Sequence, residues 1–282
     1  MDSRHTVIRR SANHMHVLPA PRLRRAVSHY TLSFPSPQPV PETLSIVPDA
    51  SGCLVFTLSE SRIEALCWGP NTSMVHVEND VNSVPLRVFV EFLPGGLYGL
   101  FGTMPVQEIR DRYVSVDDLD HPIALSCLEA IERHHAIIPG LLDALDRILL
   151  ARLGSAMRKP LVDAVLAEAA ASHGCARMSA LAGTTGYSER QINRVSLEAL
   201  GMPYKSFARV VRINEACRRL RSTDVPVTDL AYDLGYCDQP HFIRDFRSLC
   251  GVSPSAFRRG MSDFYNEDIK ICANLPANTI GG

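Results

Sequence analysis

Short runs of alternating apolar and polar residues fill the chain from His29 to about Phe92. The clearest run is residues 86–92, in which Leu86 and Val88 flank Arg87. Shorter runs, each bounded by turn residues such as Pro, Gly, Asn and Asp, occupy residues 43–47, 53–58, 62–67 and 73–77. A period of two is typical of strands with one buried face. Several short strands at this spacing predict an all-β sandwich or barrel, cupin-like in class.

The pattern changes to helical spacing after Pro94-Gly95-Gly96. Residues 105–112, 122–133 and 139–152 carry helical signals, and the last of these has four Leu and one Ile on one face. Such a stripe packs against the strands of its own domain or against a partner helix, and both interpretations stay open. Residues 160–260 are helical throughout, which predicts a separate all-α domain.

Two segments about fifty residues apart repeat each other. Met178-Ser-Ala-Leu-Ala182 and Gly186-Tyr187 recur as Val227-Thr-Asp-Leu-Ala231 and Gly235-Tyr236. A repeat at this period indicates one supersecondary unit used twice. In each copy a short helix is ended by a Gly, which accepts the left-handed backbone of a sharp turn. The unit therefore reads as a helix-turn-helix, and the predicted motifs span residues 178–200 and 227–250.

The second helix of such a motif enters the DNA major groove. It opens at Ser188 in the first copy, where Ser188-Glu-Arg-Gln191 forms a capping box, and at Asp238 in the second. The outward positions that we expect to contact bases are Arg190, Asn193, Arg194, Gln239, His241 and Arg244. Arg suits a bidentate contact to guanine and Asn one to adenine. Taken alone, each Arg is better explained as a solvated surface charge. Arg194 and Arg244 occupy the same place in both copies, however, and this favours a functional interpretation of the pair.

A single helix from Tyr204 to Arg221 separates the two motifs. At 1.5 Å per residue it is about 27 Å long. This spacer could hold two recognition helices near the ~34 Å that separates successive turns of one DNA groove. Both helices could then enter successive major grooves from one side of the duplex.

The sequence resembles the AraC/XylS family of bacterial transcription regulators over about 100 residues, most specifically from Asp229 to Pro254. The resemblance implies sequence-specific binding of double-stranded DNA by the residues named above, contact with RNA polymerase, and action as an activator. It also implies a homodimer formed through the N-terminal domain, which we place partly on the helix at residues 139–152. One departure concerns Ser196, because the family usually has Phe there, as the second copy does at Phe246. Loss of the ring should weaken the core of the first motif.

The segments Val90–Gly96, Leu100–Gly102 and Ile109–Tyr113 are similar to an uncharacterised β-rich sensor domain that is often fused to AraC-type domains. This similarity implies effector binding or self-association and names no ligand. The expected organisation is therefore a poorly ordered arm, a β-rich sensor domain, a helical segment, a linker, a DNA-binding domain and a tail without a clear element, at residues 1–25, 26–120, 121–153, 154–159, 160–260 and 261–282.

Charge and cysteine content agree with an intracellular DNA-binding protein. The net charge is −1, but residues 174–260 carry 13 Lys and Arg against 8 Asp and Glu. A basic segment beside acidic ones suits a module that binds a polyanion. The eight cysteines show no Cys-x-x-Cys pair, which argues against zinc or secreted disulfides and for a reducing cytoplasm. Cys217 and Cys250 fall at helix core positions, although a redox-sensing pair stays open.

Neither a signal peptide nor a membrane span is expected, because the basic N-terminus has no apolar run after it. The rival interpretation is a cupin-like metal enzyme fused to a DNA-binding module. His14-x-His16 has suitable chemistry but falls in the expected arm, and His29 and His76 look isolated. We therefore expect no catalytic residue, metal or cofactor. A third interpretation is a constitutive DNA binder whose N-terminal half only assembles partners, with no small-molecule effector.

Overall fold

The computed structural model describes residues 5–102, 106–119, 121–153, 159–260 and the backbone of 264–265. The chain forms two compact units. The first comprises residues 1–42, 51–69 and 79–158, and the second comprises residues 43–50, 70–78 and 159–282. Among the residues that the structure describes, no helix is both long enough and apolar enough to span a membrane.

The first unit is built on a seven-stranded antiparallel sheet. Its strands are β1 Val7–Arg10, β2 His14–Val17, β3 Val27–Ser33, β5 Cys53–Leu58, β6 Ile63–Trp68, β8 Leu86–Phe92 and β9 Tyr113–Ser115, with β4 Thr43–Ile46 and β7 Val75–Glu78 left to the second unit. The spatial order is β1-β2-β3-β8-β5-β6-β9. Alternation gives the sheet one apolar face, with Leu54, Phe56 and Val90 in the core, and one face rich in polar side chains.

The expectation of a poorly ordered arm is wrong for the residues that the structure describes between 5 and 25. β1 and β2 form a hairpin that extends the sheet through β3, and Ser11 N donates to His14 O at 2.8 Å in its turn. Val17 and Leu23 are buried. The signal was weak because all four residues of β1 are exposed, so β1 shows no alternation of burial. His14 and His16 consequently lie on a strand, and His16 contacts His29 with ring centroids 5.3 Å apart.

Four helices cover the apolar face of this sheet: α1 Gly96–Phe101, α2 Val116–Leu119, α3 Pro122–His134 and α4 Ile138–Leu153. The apolar stripe of α4 is buried, with Leu141, Leu145 and Leu149 fully inside the core of the unit. The interpretation of this stripe as a partner-helix surface is therefore wrong, because α4 packs against α3, α1 and the turn at Pro21–Leu23 within its own unit. Asp146 on α4 is buried as well, and the Tyr30 hydroxyl donates to it at 2.8 Å.

Two further expectations for this unit need correction. The helix expected at residues 105–112 is only a 3-10 turn, Val106–Glu108, in the described part of that segment. The strand pattern does break at Pro94-Gly95-Gly96 as expected, but the sequence placed the first helix after residue 105 and missed α1, which Gly95 opens with a φ of 74°. The apolar run from Tyr98 to Phe101 thus forms one turn of helix with most of its side chains in the core.

The expected β-rich domain at residues 26–120 is not one unit. Strands β4 and β7 pair with each other and cluster with the C-terminal residues. A short strand β10, Phe264–Tyr265, adds to β4 in parallel, so the tail has at least one element where none was expected. Met74, next to β7, donates its N–H to Leu249 O at 2.6 Å. No sequence pattern indicates this pairing, because its partners lie more than 200 residues apart.

The rest of the second unit is helical, as expected. Its helices are α5 Pro160–Ala171, α6 Met178–Thr185, α7 Glu189–Leu200, α8 Tyr204–Ser222, α9 Val227–Asp233, α10 Gln239–Cys250 and α11 Pro254–Arg259. α8 has 19 residues, which corresponds to about 28 Å. Of the expected linker, residues 154–158 lie outside the described residues, and Lys159 is the N-cap of α5.

Candidate nucleic-acid interface

In the first motif, the turn between α6 and α7 is fixed by local chemistry. Leu181 is buried on α6, and Gly186 ends that helix with a φ of 72°. The Ser188 hydroxyl accepts from Gln191 N at 3.3 Å, and the Gln191 side chain accepts from Ser188 N at 2.9 Å. This reciprocal capping box confirms the expected start of α7. The register of the exposed face of α7 is therefore set by its first turn.

α7 exposes Arg190 and Arg194 and buries Ile192 and Val195. Asn193 is not fully outward as expected, because it is half-buried. Its Oδ1 accepts from Tyr204 N at 3.3 Å, and its Nδ2 lies 3.6 Å from Met178 Sδ. The amide thus ties α7 to the first turn of α8.

The second motif repeats this geometry with different residues. Leu230 and Ala231 are buried on α9, and Gly235 follows with a φ of 73°. The Asp238 carboxylate accepts from His241 N at 2.6 Å and caps α10. Pro240 stands in the first turn, where no N–H is needed. The left-handed Gly and the N-cap expected from the sequence are thus present in both copies.

α10 exposes His241 and Arg244, as expected. Gln239 is half-exposed, and its Oε1 accepts from the Thr228 hydroxyl of α9 at 2.9 Å. The His241 ring packs edge-on against Tyr236, with centroids 5.2 Å apart. The structure therefore places Arg244 at the position on α10 that Arg194 holds on α7.

An ion-pair network that the sequence did not reveal holds α10 to α8. The Arg209 Nε donates to Asp245 at 2.5 Å, the Tyr236 hydroxyl donates to the same carboxylate at 2.6 Å, and Arg209 also reaches Ser248. Burial, followed by the bond to Asp245, raises the pKa of the Tyr236 hydroxyl well above its usual range. Arg212 lies 5.2 Å from the centre of the Tyr236 ring. One sign of this network is present in the sequence, because Asp245 stands at the position of the repeat that Val195 occupies in the first copy.

The geometry agrees with sequence comparisons. A family model described as a helix-turn-helix domain matches residues 181–260, and one described as a domain of unknown function matches residues 15–115. The HTH-type transcriptional activator AarP of Providencia stuartii is 33% identical over 91 residues, which are 32% of this chain and 66% of that protein. The arabinose operon regulatory protein of Escherichia coli (strain K12) is 30% identical over 80 residues, 28% of this chain and 27% of that protein. Residues 181–260 therefore form a helix-turn-helix domain of the AraC type.

The chain spans about two thirds of the first of these relatives and about a quarter of the second. Two solved structures are also similar. The C-terminal domain of AraT, a response regulator from Geobacillus stearothermophilus, has a TM-score of 0.35 at 24% identity and covers 39% of this chain and 91% of its own. ToxT from Vibrio cholerae O395 has a TM-score of 0.39 at 9% identity, over 80% and 98% of the two chains. Both scores are low, so the family assignment rests on the sequence matches.

The AraC-type domain packs its two motifs differently. Phe246 is buried in the second motif, with its ring 5.8 Å from Phe242 and 5.5 Å from Phe257. Ser196 takes its place in the first motif and is 0% exposed. The Ser196 hydroxyl has no hydrogen-bond partner among the described residues. The first motif therefore lacks a ring and also buries an unsatisfied polar group.

Two buried groups stabilise α8 in the AraC-type domain. Glu215 is 5% exposed, and both Arg218 and Arg219 donate to it. Burial raises the pKa of the Glu215 carboxyl, but the hydrogen bonds from the two guanidinium groups outweigh it, so the net pKa is lowered. Cys217 is buried in contact with Cys250, and burial raises the pKa of the Cys217 thiol. These thiols occupy the core positions that the sequence predicted.

Proposed function

We propose that the protein is a sequence-specific DNA-binding regulator of transcription that inserts α7 and α10 into successive major grooves. The observation that carries the proposal is the pair Arg194 and Arg244. Both are exposed, and both stand at the same position of a helix whose start is fixed by a side-chain cap. A rigid helix that projects Arg from its first two turns suits bidentate contacts to guanine.

Exposed neighbours extend this surface. Arg190 and His241 are exposed on the first turns of α7 and α10, and half-exposed Gln239 lies beside them. We include these three in the proposed base-contacting surface. Asn193 is assigned a positioning role instead, because its amide is bonded to Tyr204 N.

The basic balance of residues 174–260 supports a large contribution from phosphate contacts. We expect log affinity to fall linearly with log salt concentration over roughly 50–200 mM. A flat dependence would contradict docking of two helices on one duplex. Activation extends the same proposal and is supported by the name of the relative AarP, a transcriptional activator. Contact with RNA polymerase and homodimer formation extend it from the resemblance to the AraC/XylS family, and action in the cytoplasm extends it from the cysteine content.

The test starts from selection of preferred sites in random DNA by the purified full chain. Arg194→Ala and Arg244→Ala should each weaken binding to the selected site by about 1–3 kcal/mol and relax preference at one base pair. The matched variants are Arg194→Lys and Arg244→Lys, which keep the charge and lose the bidentate fork. Lys should fail to restore base preference. Wild-type affinity and preference in both Ala variants would remove these helices from the interface.

We propose that the N-terminal unit binds a small-molecule effector. The rival metal-enzyme interpretation predicts bound metal in the purified protein, lost on mutation of His29 or His76. The constitutive alternative predicts operator affinity that no small molecule changes.

A further inference from the structure

Arg212, near the middle of α8, contacts segments that belong to both helix-turn-helix motifs. On one side, its Nε and Nη2 donate to Gly174 O at 3.2 and 2.6 Å, and Gly174 lies four residues before the start of α6. On the other side, its guanidinium carbon lies 5.2 Å from the centre of the Tyr236 ring, in the turn between α9 and α10. One side chain therefore joins the segment that leads into the first motif to the turn of the second.

The contact with Gly174 is a tight backbone contact. Gly174 is buried and has a φ of +72°, and a Cβ at this position would lie 2.0 Å from Ala208 O. The backbone of this segment thus lies directly against α8, one helical turn before Arg212. Its carbonyl accepts two charge-assisted hydrogen bonds, and without them it would be a buried acceptor that has lost a strong partner. A shift of this segment along α8 would break both bonds.

The contact with Tyr236 continues to α10. The Tyr236 ring is 3% exposed, and the face of an aromatic ring attracts a cation. The same ring packs edge-on against His241, and its hydroxyl donates to Asp245 at 2.6 Å. Both of these residues lie on α10. Arg212 is therefore connected to the second recognition helix through a single buried ring.

A further contact joins the same two segments without involving α8. Cys175 follows Gly174, and its Sγ donates to Leu234 O at 3.3 Å. Leu234 is fully buried and precedes Gly235 in the turn of the second motif. The segment that leads into α6 is thus bonded to α8 and to the second motif at once.

We propose that Arg212 is a positioning residue that fixes the relative placement of α7 and α10 and thereby selects the spacing between two half-sites on DNA. The inference rests on the proposed insertion of both helices into successive major grooves. Apolar packing of the motifs on α8 is non-directional, whereas two hydrogen bonds to one carbonyl fix both a distance and an angle. The bonds of Arg212 therefore limit how far the first motif can turn relative to the second.

The consequence concerns DNA in which one base pair is added between the two half-sites. The insertion moves one half-site by about 3.4 Å and turns it by about 34° relative to the other. A pair of helices held rigidly cannot meet both half-sites after this change, so the wild type should bind the longer site about ten-fold or more weakly, as for a mismatch in the site. A loosely held pair adapts and should lose less.

The experiment compares the selected site with the same site carrying one added base pair. The insertion lies between the positions at which Arg194→Ala and Arg244→Ala relax base preference. Binding of the purified full chain is followed by fluorescence anisotropy, and the ratio of the two Kd values is the spacing penalty. Loss of folded protein lowers both affinities equally and cancels from this ratio. A merely structural role of Arg212 would therefore leave the spacing penalty unchanged.

Arg212→Met keeps a long side chain but removes the charge and the donors. It should bind the selected site more weakly than the wild type and reduce the spacing penalty at least three-fold. Arg212→Lys keeps the charge and loses the paired donors, so its penalty should lie between the two. Arg218→Met is the matched control, because Arg218 also lies on α8 and donates two hydrogen bonds to Glu215 of the same helix. Its penalty should equal that of the wild type.

An equal spacing penalty in the wild type and in Arg212→Met would overturn the role of Arg212, and so would an equal reduction in Arg218→Met. If Arg212→Met does not fold, Arg212→Lys decides, and a wild-type penalty in that variant would overturn the inference. A wild type without any spacing penalty would refute the docking in two grooves and this inference with it. A penalty that the wild type shows and both Arg212 variants keep would refute the positioning role alone.

Discussion

Asn193→Ala separates a positioning role from a base-reading role in the first motif. The Asn193 Oδ1 accepts from Tyr204 N, one of the first N–H groups of α8. Pro203 is the N-cap of α8 and offers no side-chain cap of its own. An N–H group in the first turn of a helix has no partner inside that helix. Asn193 therefore acts as the cap of α8 from a different helix.

Loss of a cap costs about 1 kcal/mol, within a range of about 0.5–2 kcal/mol. For a domain of this size, 1 kcal/mol corresponds to about 4–8 °C in Tm. We expect Asn193→Ala to lower the free energy of unfolding by this amount in urea titrations followed by far-UV circular dichroism. Its preferred DNA site should be that of the wild type.

The second copy suggests a rescue. There Ser253 holds the place of Pro203, and its hydroxyl accepts from Ala256 N at 3.2 Å. Pro203→Ser in the Asn193→Ala background should restore most of the lost stability, because it supplies the same local cap. If Asn193→Ala instead keeps full stability and changes the base preferred at one position, the amide reads DNA and the cap assignment is refuted.

Four other changes test the packing. Ser196→Ala should stabilise the chain by about 1–2 kcal/mol in urea unfolding, because it removes a buried hydroxyl without a partner; a loss of stability would show a bond that the structure lacks. Asp245→Asn should lower the free energy of unfolding by about 1.5–3 kcal/mol, since Arg209 and Tyr236 lose a charged acceptor. An unchanged urea midpoint would contradict the role of Asp245 in holding α10 to α8. The Glu215 carboxyl has a lower pKa in the folded than in the unfolded chain. Its contribution to stability is therefore present above the pKa of the unfolded carboxyl and is lost as pH falls through the folded pKa. Glu215→Gln should flatten the dependence of the free energy of unfolding on pH over that acid range. Gly52→Ala should cost about 2 kcal/mol or more from strain, whereas the control Gly140→Ala, with its nearest atom 3.8 Å away, should be neutral or stabilising.

The sequence predicted the C-terminal domain well because its signals are local. A Gly after α6, a capping box at Ser188 and a cap at Asp238 each act within four residues, so the pattern alone fixes where α7 and α10 begin. Asn193 was misplaced for the opposite reason. Its position on a helical wheel is outward, but its hydrogen bond goes to a residue eleven positions away on another helix.

The N-terminal unit was harder to predict because its features depend on pairing between distant strands. The strands themselves were expected, yet no spacing in the sequence shows that Glu91 lies opposite His29 on the neighbouring strand. His14 and His16 were dismissed with the supposed arm, although β2 places them beside β3. The pairing of β4 with β10 is still more remote, since the two strands lie more than 200 residues apart in the sequence.

The two copies of the motif use different residues to cap the helix that follows the recognition helix, and a change at one position is accompanied by a change at another. Where the first copy has Pro203 without a cap, Asn193 reaches across from α7; where the second has Ser253, the position of Asn193 is taken by Ile243. The copies also differ in the core, where α10 has Phe246. Asn193→Ala should therefore loosen α7 and spare α10, whereas loss of the bond from Arg209 to Asp245 should loosen α10 and spare α7. The two copies thus present Arg194 and Arg244 at the same helical position but hold their recognition helices with different contacts.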